Sequence, residues 1–392
     1  MRTFSSVFQQ ILNLFPRGEF SALVKKHEAE RHARGFTCWQ QFVAMLFCQL
    51  GRAQSLREIC DGLASMEGKL VHLGVDRAPK RSTLSYANEH RPWQLYQSVF
   101  EALLARCRAI APKQRLRFKN VLLSVDATTI DLCATLFDWA KFRRTKGGVK
   151  LHLVLDHDGL LPSFAVITEA KRYDVVVARE FTFPAGAVVV FDRAYNDFKW
   201  FYRLTRDGVF FVTRMKERTR YRVVETRAVP QRGNVVRDEV IELVKEFEDV
   251  PAEQLRRVEV TTEDGKMLVF LTNHLRFAAS TIAAIYKERW QIELMFKALK
   301  QGLRIKTFVG TSANALHIQI WTALIAMLIL KYMKMKARFG WSLSNLIALL
   351  RFNLFAYRDL WSWLHEPFAT VSPPEPAQLS LLQLGQPETN LF

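Results

Sequence analysis

Four polar side chains share one short stretch of the chain, "YKERWQIELMFKALK" at 286–300. Tyr286, Arg289, Glu293 and Lys300 supply one phenol, one guanidinium, one carboxylate and one ammonium. The stretch has no Gly or Pro and is rich in Lys, Glu, Leu, Ala and Met, so it reads as a helix. At about 100° per residue the four stand at roughly 0°, 300°, 340° and 320° around the axis, within a ~60° arc. Ile292, Met295, Phe296 and Leu299 form a separate apolar stripe for packing. A polar line of this kind is either a solvated face with i,i+4 pairs or a metal-binding carboxylate flanked by cations that hold phosphates. In the second case its length of ~21 Å along the axis suits several nucleotides rather than one phosphate.

Two further acids decide between these readings. Asp126 follows the apolar run "VLLSV" and Asp192 follows "VVVF". Each is expected at the C-terminal end of a strand, where an α/β sheet places its chemistry. Taken singly, each is a turn or helix cap, Asp192 for a helix starting near Asn196. Glu293 taken singly is surface charge. Taken together, three hard oxygen donors on two strand ends and one helix suit Mg²⁺. Two such ions about 4 Å apart can activate a water or hydroxyl and stabilise the leaving oxygen of a phosphodiester.

The elements that must position these residues follow from pattern. Residues 5 to about 110 read as helices. "SLREICDGLASM" opens with a Ser cap followed by Glu58, and "PKRSTLSYANEH" carries a weak helix-turn-helix signal. From 113 the period shifts to strands: one entering near Val121 and ending near Asp126, then 149–159 and 160–170 joined by an Asp-Gly turn. A short helix at "DVVVAREF", a strand and helix over 186–208 and the strand "VFFVTRM" complete an α/β core of about five strands. Residues 214–277 alternate in short Val/Thr/Glu/Arg runs and read as an all-β insertion. Helices resume near Ser280 and run to about 365, and the Pro-rich tail from Glu366 reads as flexible. The expected divisions are 1–112, 113–213, 214–277, 278–335 and 336–392.

Composition narrows the partners. With 56 Lys and Arg against 38 Asp and Glu, the chain carries +18 over 392 residues and 49% hydrophobic side chains. That suggests several cores and a polyanionic partner. The start of the chain lacks a signal-peptide layout, and "IQIWTALIAMLIL" ends at Lys331, so it reads as a buried helix and no membrane is expected. The five cysteines show no CxxC spacing, which points to reduced, mostly buried thiols in a cytoplasmic protein. "FRRTKGGVK" lacks the phosphate-loop spacing, and His152 and His157 read as strand packing rather than a zinc site. "RMKERTRYR" sets Arg214, Lys216, Arg218, Arg220 and Arg222 at period two, all on one face of an expected strand, as a DNA-backbone contact or an edge guard. Lys113, Arg115, Arg117 and Lys119 repeat that pattern. Asp131 and Asp197 read as caps or surface charge.

The spacing Tyr286-x2-Arg289-x3-Glu293-x6-Lys300, with Asp126 in "SVDATTIDL", Asp192 in "VFDRAYND" and "LTN" at 271–273, resembles the Y-R-E-K signature of the insertion sequence 4 family of DDE transposases. The resemblance covers roughly 115 to 335. It implies an RNase H-like catalytic core interrupted by a β-rich insertion, with helical regions before and after. It also implies cut-and-paste transposition with two Mg²⁺ ions, for which Mn²⁺ can substitute: end nicking, hairpin formation and opening, and strand transfer. The implied partners are double-stranded DNA with terminal inverted repeats, target DNA and a second protomer in the synapse. The alternative is a metal-dependent nuclease with the same core and no strand transfer. One departure stands out. Such enzymes stack an aromatic of the insertion, a Trp in the best-known relative, on a flipped base. Here 214–277 has only Tyr221, Phe247, Phe270 and Phe277.

Overall fold

The computed structural model describes residues 4–369 apart from 32, 34, 67, 133–136, 138, 140, 144–145, 230, 232, 245–253, 304 and 306–307. The tail beyond 369, Cys133 and Phe247 lie outside the described residues. Six helices come first: α1 (Val7–Leu12), α2 (Arg17–Lys26), α3 (Cys38–Gly51), α4 (Leu56–Ala64), α5 (Arg81–His90) and α6 (Gln94–Ala109). Ser55 caps α4 by accepting from the Glu58 N–H, as its sequence suggests. α3 opens with a full capping box between Thr37 and Gln40. It is apolar nearly all round and is buried accordingly.

The sheet follows: β1 (Leu122–Leu132), β2 (Lys141–Arg143), β3 (Lys146–Asp156), β4 (Leu161–Glu169), β5 (Val188–Phe191) and β6 (Phe210–Arg214), with α7 (Asp174–Ala178) and α8 (Phe198–Arg206) between them. β1 pairs antiparallel with β3, and β3 with β4, while β1, β5 and β6 run parallel. Parallel pairing of β1 with β5 ends at Val125 opposite Phe191. The next residues on the two strands are Asp126 and Asp192, so the register itself sets the two acids side by side. β1 does not stop at Asp126 as expected. It continues to Leu132 because β3 still pairs with it, Asp126 opposite Leu153 and Leu132 opposite Gly147. Asp126 therefore sits mid-strand, at the point where only one neighbour remains.

Among the described residues of the segment expected as an insertion, four strands pair antiparallel: β7 (Tyr221–Thr226), β8 (Val235–Leu243), β9 (Gln254–Thr261) and β10 (Met267–Thr272). They continue the core sheet instead of standing apart, because β10 pairs with β6, Leu271 opposite Thr213. The "LTN" at its end has a structural task. Thr272 Oγ1 donates to the Phe211 carbonyl, and Asn273 accepts from the Phe211 N–H at 2.9 Å. The Asn273 amide also reaches Thr205 Oγ1 and the Val209 carbonyl. The expected single strand over "RMKERTRYR" is not formed. Arg214 ends β6, Lys216 to Arg220 lie in a turn, and Arg222 is the second residue of β7. The turn is needed because β6 must hand the chain over to β7, at the far edge of the sheet.

Helices close the chain: α9 (Ala279–Glu288), α10 (Trp290–Lys297), α11 (Ala313–Lys336), α12 (Leu343–Asn353) and α13 (Leu360–His365). α11 contains the apolar run and is long and apolar enough to cross a membrane, but its sides are covered. One hydrophobic core runs through α1 to α6, α10 to α13 and the inner side chains of β3. The other two lie on opposite faces of the β1–β5–β6 sheet: Leu123 and Val125 with α7 and α8, Leu122 with Ile282 and Ile285 of α9. By the two-residue period of a strand, Ser124 and Asp126 share the α9 face with Leu122.

β8 and β9 are joined by buried charges. The Arg256 guanidinium binds Asp238 through two bonds, 2.7 and 2.6 Å, and Arg257 meets Glu239 at 2.9 Å. Removing one partner of such a pair leaves an uncompensated buried charge. Asp238→Ala is expected to cost about 3–5 kcal/mol in urea unfolding, and Asp238→Leu combined with Arg256→Met to recover most of that loss. A double variant as unstable as the single one would show that Arg256 matters mainly through its bonds to the Phe277 and Leu275 carbonyls.

Candidate active site

The polar stripe of the opening stretch assembles over the end of the β1–β5 pairing. Its backbone is not one regular helix. Arg289 falls at the junction of α9 and α10, where the Arg289 and Ile292 N–H groups bond three residues back at 3.2 Å. The last turn, Ala298–Gly302, widens to a π-helix. That widening turns Lys300 back over the sheet, and its Nζ donates to the Thr129 carbonyl of β1 at 2.8 Å. Glu293 lies one turn from Arg289, whose Nη2 binds Glu293 Oε1 at 2.5 Å. The other Arg289 nitrogen lies 3.7 Å from Asp126 Oδ2. The Arg289 guanidinium also lies 5.6 Å from the centre of the Tyr286 ring, which packs on Phe270 of β10.

Asp192 stands beside this group on the neighbouring strand end. Its Oδ1 accepts from the Ala194 N–H at 2.8 Å and opens a short 3₁₀ turn at Arg193–Tyr195. The cap of α8 is Asp197 instead, which accepts from the Trp200 N–H and pairs with Arg179. The Asp192 loop is pinned to β6: the Thr213 hydroxyl reaches the Asp192 carbonyl and Asn196 Oδ1, and the Asn196 amide donates to the Arg214 carbonyl. Lys216 Nζ donates to the Asn196 carbonyl at 3.2 Å. The basic turn therefore borders the Asp192 loop, with Arg218 and Arg220 on it and Arg222 held by Glu242. These five cations do not share one face.

Electrostatics tie the three acids together. Burial pushes the Asp126 carboxyl from its ordinary 3.8 up to about 7, with the charges of Asp192 and Glu293 adding to the rise. The Ala127 N–H and Arg289 oppose it. Tyr195 is buried with no hydrogen-bond partner for its hydroxyl among the described residues, and burial, with the charges of Asp126, Asp174 and Asp192, raises its pKa. Sequence reasoning missed Tyr195; its only signal was its place three residues after Asp192. It also missed Trp290, 56% exposed next to Arg289. The three described aromatics of the insertion are all engaged: Tyr221 under Arg257, Phe270 against Tyr286, Phe277 stacked on His274. His152 and His157 are no metal pair. Burial draws both down to about 4, and they bond Thr168 and Ser124. Ser124, His157 and Glu288 line up in hydrolase-like order, yet Ser124 is fully buried and cannot meet a substrate.

The donor chemistry fits a hard divalent cation: three carboxylates, one of them held partly protonated mainly by its burial, with the other two adding to the effect. Among the described residues, however, no three acidic, His or Cys side chains stand close enough to hold one ion. Arg289 takes up the space between Asp126 and Glu293.

Comparison with known proteins shows the family of the chain. A family model described as "Transposase DDE domain" matches residues 117–329, which span β1 through most of α11. The chain belongs to the DDE transposase family. A second model, a domain of unknown function, covers residues 3–76 of this transposase. "Putative transposase y4zB" of Sinorhizobium fredii (strain NBRC 101917 / NGR234) is 31% identical over 72% of the chain and 80% of its own length. "Probable transposase for insertion sequence element IS5377" of Geobacillus stearothermophilus is 29% identical over 64% of the chain and 67% of its own. A solved piggyBac transposase synaptic complex with hairpin DNA aligns with a TM-score of 0.45 at 11% identity, over 88% of this chain and 80% of that one. That likeness is too loose to bear on the fold.

The raised Asp126 carboxyl makes a stability test possible. In the folded transposase it stays protonated up to about 7, whereas unfolded it ionises near 3.9. The folded state thus holds the extra proton between these values, and stability falls as pH rises through that window. Asp126→Asn removes the penalty. Its Tm is expected to match wild type near pH 4 and to exceed it by roughly a few °C at pH 8, without divalent ions. Equal Tm values at both pH values would place the carboxyl in water.

Proposed function

We propose that this transposase moves an insertion sequence of the insertion sequence 4 type by cut-and-paste, at a single site built from Asp126, Asp192 and Glu293. The observation that carries the reading is the gathering of the three acids, Asp126 and Asp192 in adjacent register and Glu293 brought near Asp126 by α10, with Arg289 between Asp126 and Glu293. The order β4-β3-β1-β5-β6, antiparallel then parallel, supports an RNase H-like core, and the strands continuing from β6 its β-rich insertion. Two divalent ions, Mg²⁺ with Mn²⁺ able to substitute, would be held by Asp126, Asp192 and Glu293 and would activate the attacking oxygen and stabilise the leaving one.

The remaining roles belong to the chain's own groups. Arg289 grips the phosphate nearest the cut with two parallel bonds once its carboxylate partners are occupied. Tyr286 holds the guanidinium from one side. Lys300, anchored on β1, supplies a point charge farther along the strand. Trp290 offers the stacking face that the insertion lacks, for a base displaced during hairpin formation. Lys216, Arg218 and Arg220 meet the DNA backbone from the turn, with Arg214 and Arg222 at its two ends. The N-terminal helices contribute DNA contacts, two protomers bring the two inverted-repeat ends together before insertion into target DNA, and the reaction takes place in the bacterial cytoplasm at the nucleoid.

Asp126→Asn, Asp192→Asn and Glu293→Gln are each expected to abolish cleavage of end-containing DNA in Mg²⁺ while leaving binding nearly intact, because affinity comes mainly from phosphates. Near-normal nicking by any one variant removes that residue from the site. Arg289→Lys keeps the charge and loses the fork, so hairpin formation or strand transfer should fall at least tenfold more than first nicking. Stepwise assays on pre-nicked ends decide it. Wild-type protein that nicks but never joins ends to a target would instead be the nuclease.

A further inference from the structure

A cleft opens at the start of β1, on the sheet face that carries Asp126 but about 13 Å back along the strand, four residues at ~3.3 Å. Arg115, Lys331 and Lys334 line it, with Gln291 and Glu288 on the α9–α10 side. The run of alternating cations from Lys113 to Lys119 is an irregular loop and not the strand its period suggests. Lys113 closes on Asp158 at 2.8 Å, which leaves Arg115 as the cation this loop gives to the cleft.

Lys331 is the telling residue. It sits on the last turns of α11, where the apolar run ends, and it has no hydrogen bond or ion pair among the described residues. Burial, with the like charge of Lys334, draws its ammonium down to about 8. Glu288 does not neutralise it: its carboxylate turns to His157, Oε2 lying 3.8 Å from Nδ1, while His157 Nε2 is bound to Ser124 Oγ at 2.6 Å. Arg115 and Lys334 likewise have no carboxylate partner among the described residues. A helix C-terminus attracts cations to its carbonyls, which would account for Lys334 but not for Arg115 or for the recessed Lys331. Three cations with no carboxylate partner among the described residues gather around a recess, one of them half-buried, and cost free energy until an anion enters.

Resting on the reading of the chain as a DNA-cutting transposase, we propose that this cleft binds a backbone phosphodiester of the DNA strand that runs through the active site. At ~3.4 Å of axis per nucleotide, the cleft lies about four nucleotides from the acids. It would fix the strand at a second point, so that the scissile phosphate cannot slide past Asp126 and Asp192.

Full-length protein is titrated with an end-containing duplex by fluorescence anisotropy across a salt series. Lys331→Gln is expected to weaken binding roughly fivefold to tenfold at 0.1 M salt and to lower the log-log salt slope by about one. The exposed Lys334→Gln, which cannot disturb the core, should show the same slope loss, and Lys331→Arg should restore it. Unchanged affinity and slope in both Gln variants, with wild type binding normally, overturn the cleft and leave the proposed function standing. Wild type that binds no duplex overturns both. Inorganic phosphate provides the second arm. If it raises the Tm of wild type but not of Lys331→Gln, while duplex binding is the same in both, the cleft holds free phosphate and the DNA assignment fails.

Discussion

The surroundings of Asp126 disfavour the ionised form of its carboxyl, and the architecture around it is organised to hold that carboxyl beside two further acids. The carboxyl lies under α9 and α10, on a strand with apolar neighbours, and two further acids face it. Like charges gathered in a partly dry site repel, and they stay together only if the elements carrying them are rigid. The parallel pairing of β1 with β5 supplies that rigidity for Asp126 and Asp192, since a ladder of backbone bonds fixes their register. Packing of Ile282 and Ile285 onto Leu122, Val188 and Val190 anchors α9, which leads through Arg289 into α10 and Glu293. Arg289 then meets two of the acids and offsets part of the repulsion.

The rest of the structure can be understood as buttressing. Asn196 and Thr213 tie the Asp192 loop to β6, and β6 is in turn held by β10 through Thr272 and Asn273. The strands β7 to β10 therefore reach the candidate active site through the sheet itself, by a continuous path of backbone pairing. Its buried Arg256–Asp238 and Arg257–Glu239 pairs are costly to assemble and costly to break. On the other side, α11 serves as the shared wall of the N-terminal helices, the C-terminal helices and β4, so the start and end of the chain depend on one buried cylinder.

The stripe at 286–300 shows how chemistry could be legible where geometry was not. Residue types and spacing were enough to single out Tyr286, Arg289, Glu293 and Lys300, because a helix period brings i, i+3 and i+7 together whatever the surroundings. The period could not show that the turn at Ala298–Gly302 widens, nor that Lys300 leans back to the Thr129 carbonyl. It could not show that Arg289 is engaged by carboxylates. The reading of "RMKERTRYR" failed for a related reason. Alternation gives a strand only where a partner strand lies alongside, and here β6 ends because the chain must cross to the far edge of the sheet.

The sequence by itself determined the order of elements, the change from helical to strand to helical pattern, the buried character of α11, and the three acids with their flanking cations. These are local properties, set by side-chain type and by periods of two and 3.6 residues. Tertiary structure decided everything that depends on distance across the chain: the adjacent register of Asp126 and Asp192, the joining of β7 to β10 onto the core sheet, the Tyr195 hydroxyl with no partner among the described residues, and the recess that Arg115 and Lys331 both line. A sequence records which groups exist, but a carboxyl's proton affinity and a lysine's lack of a partner are set by what packs within a few ångströms, and residues hundreds of positions apart supply that.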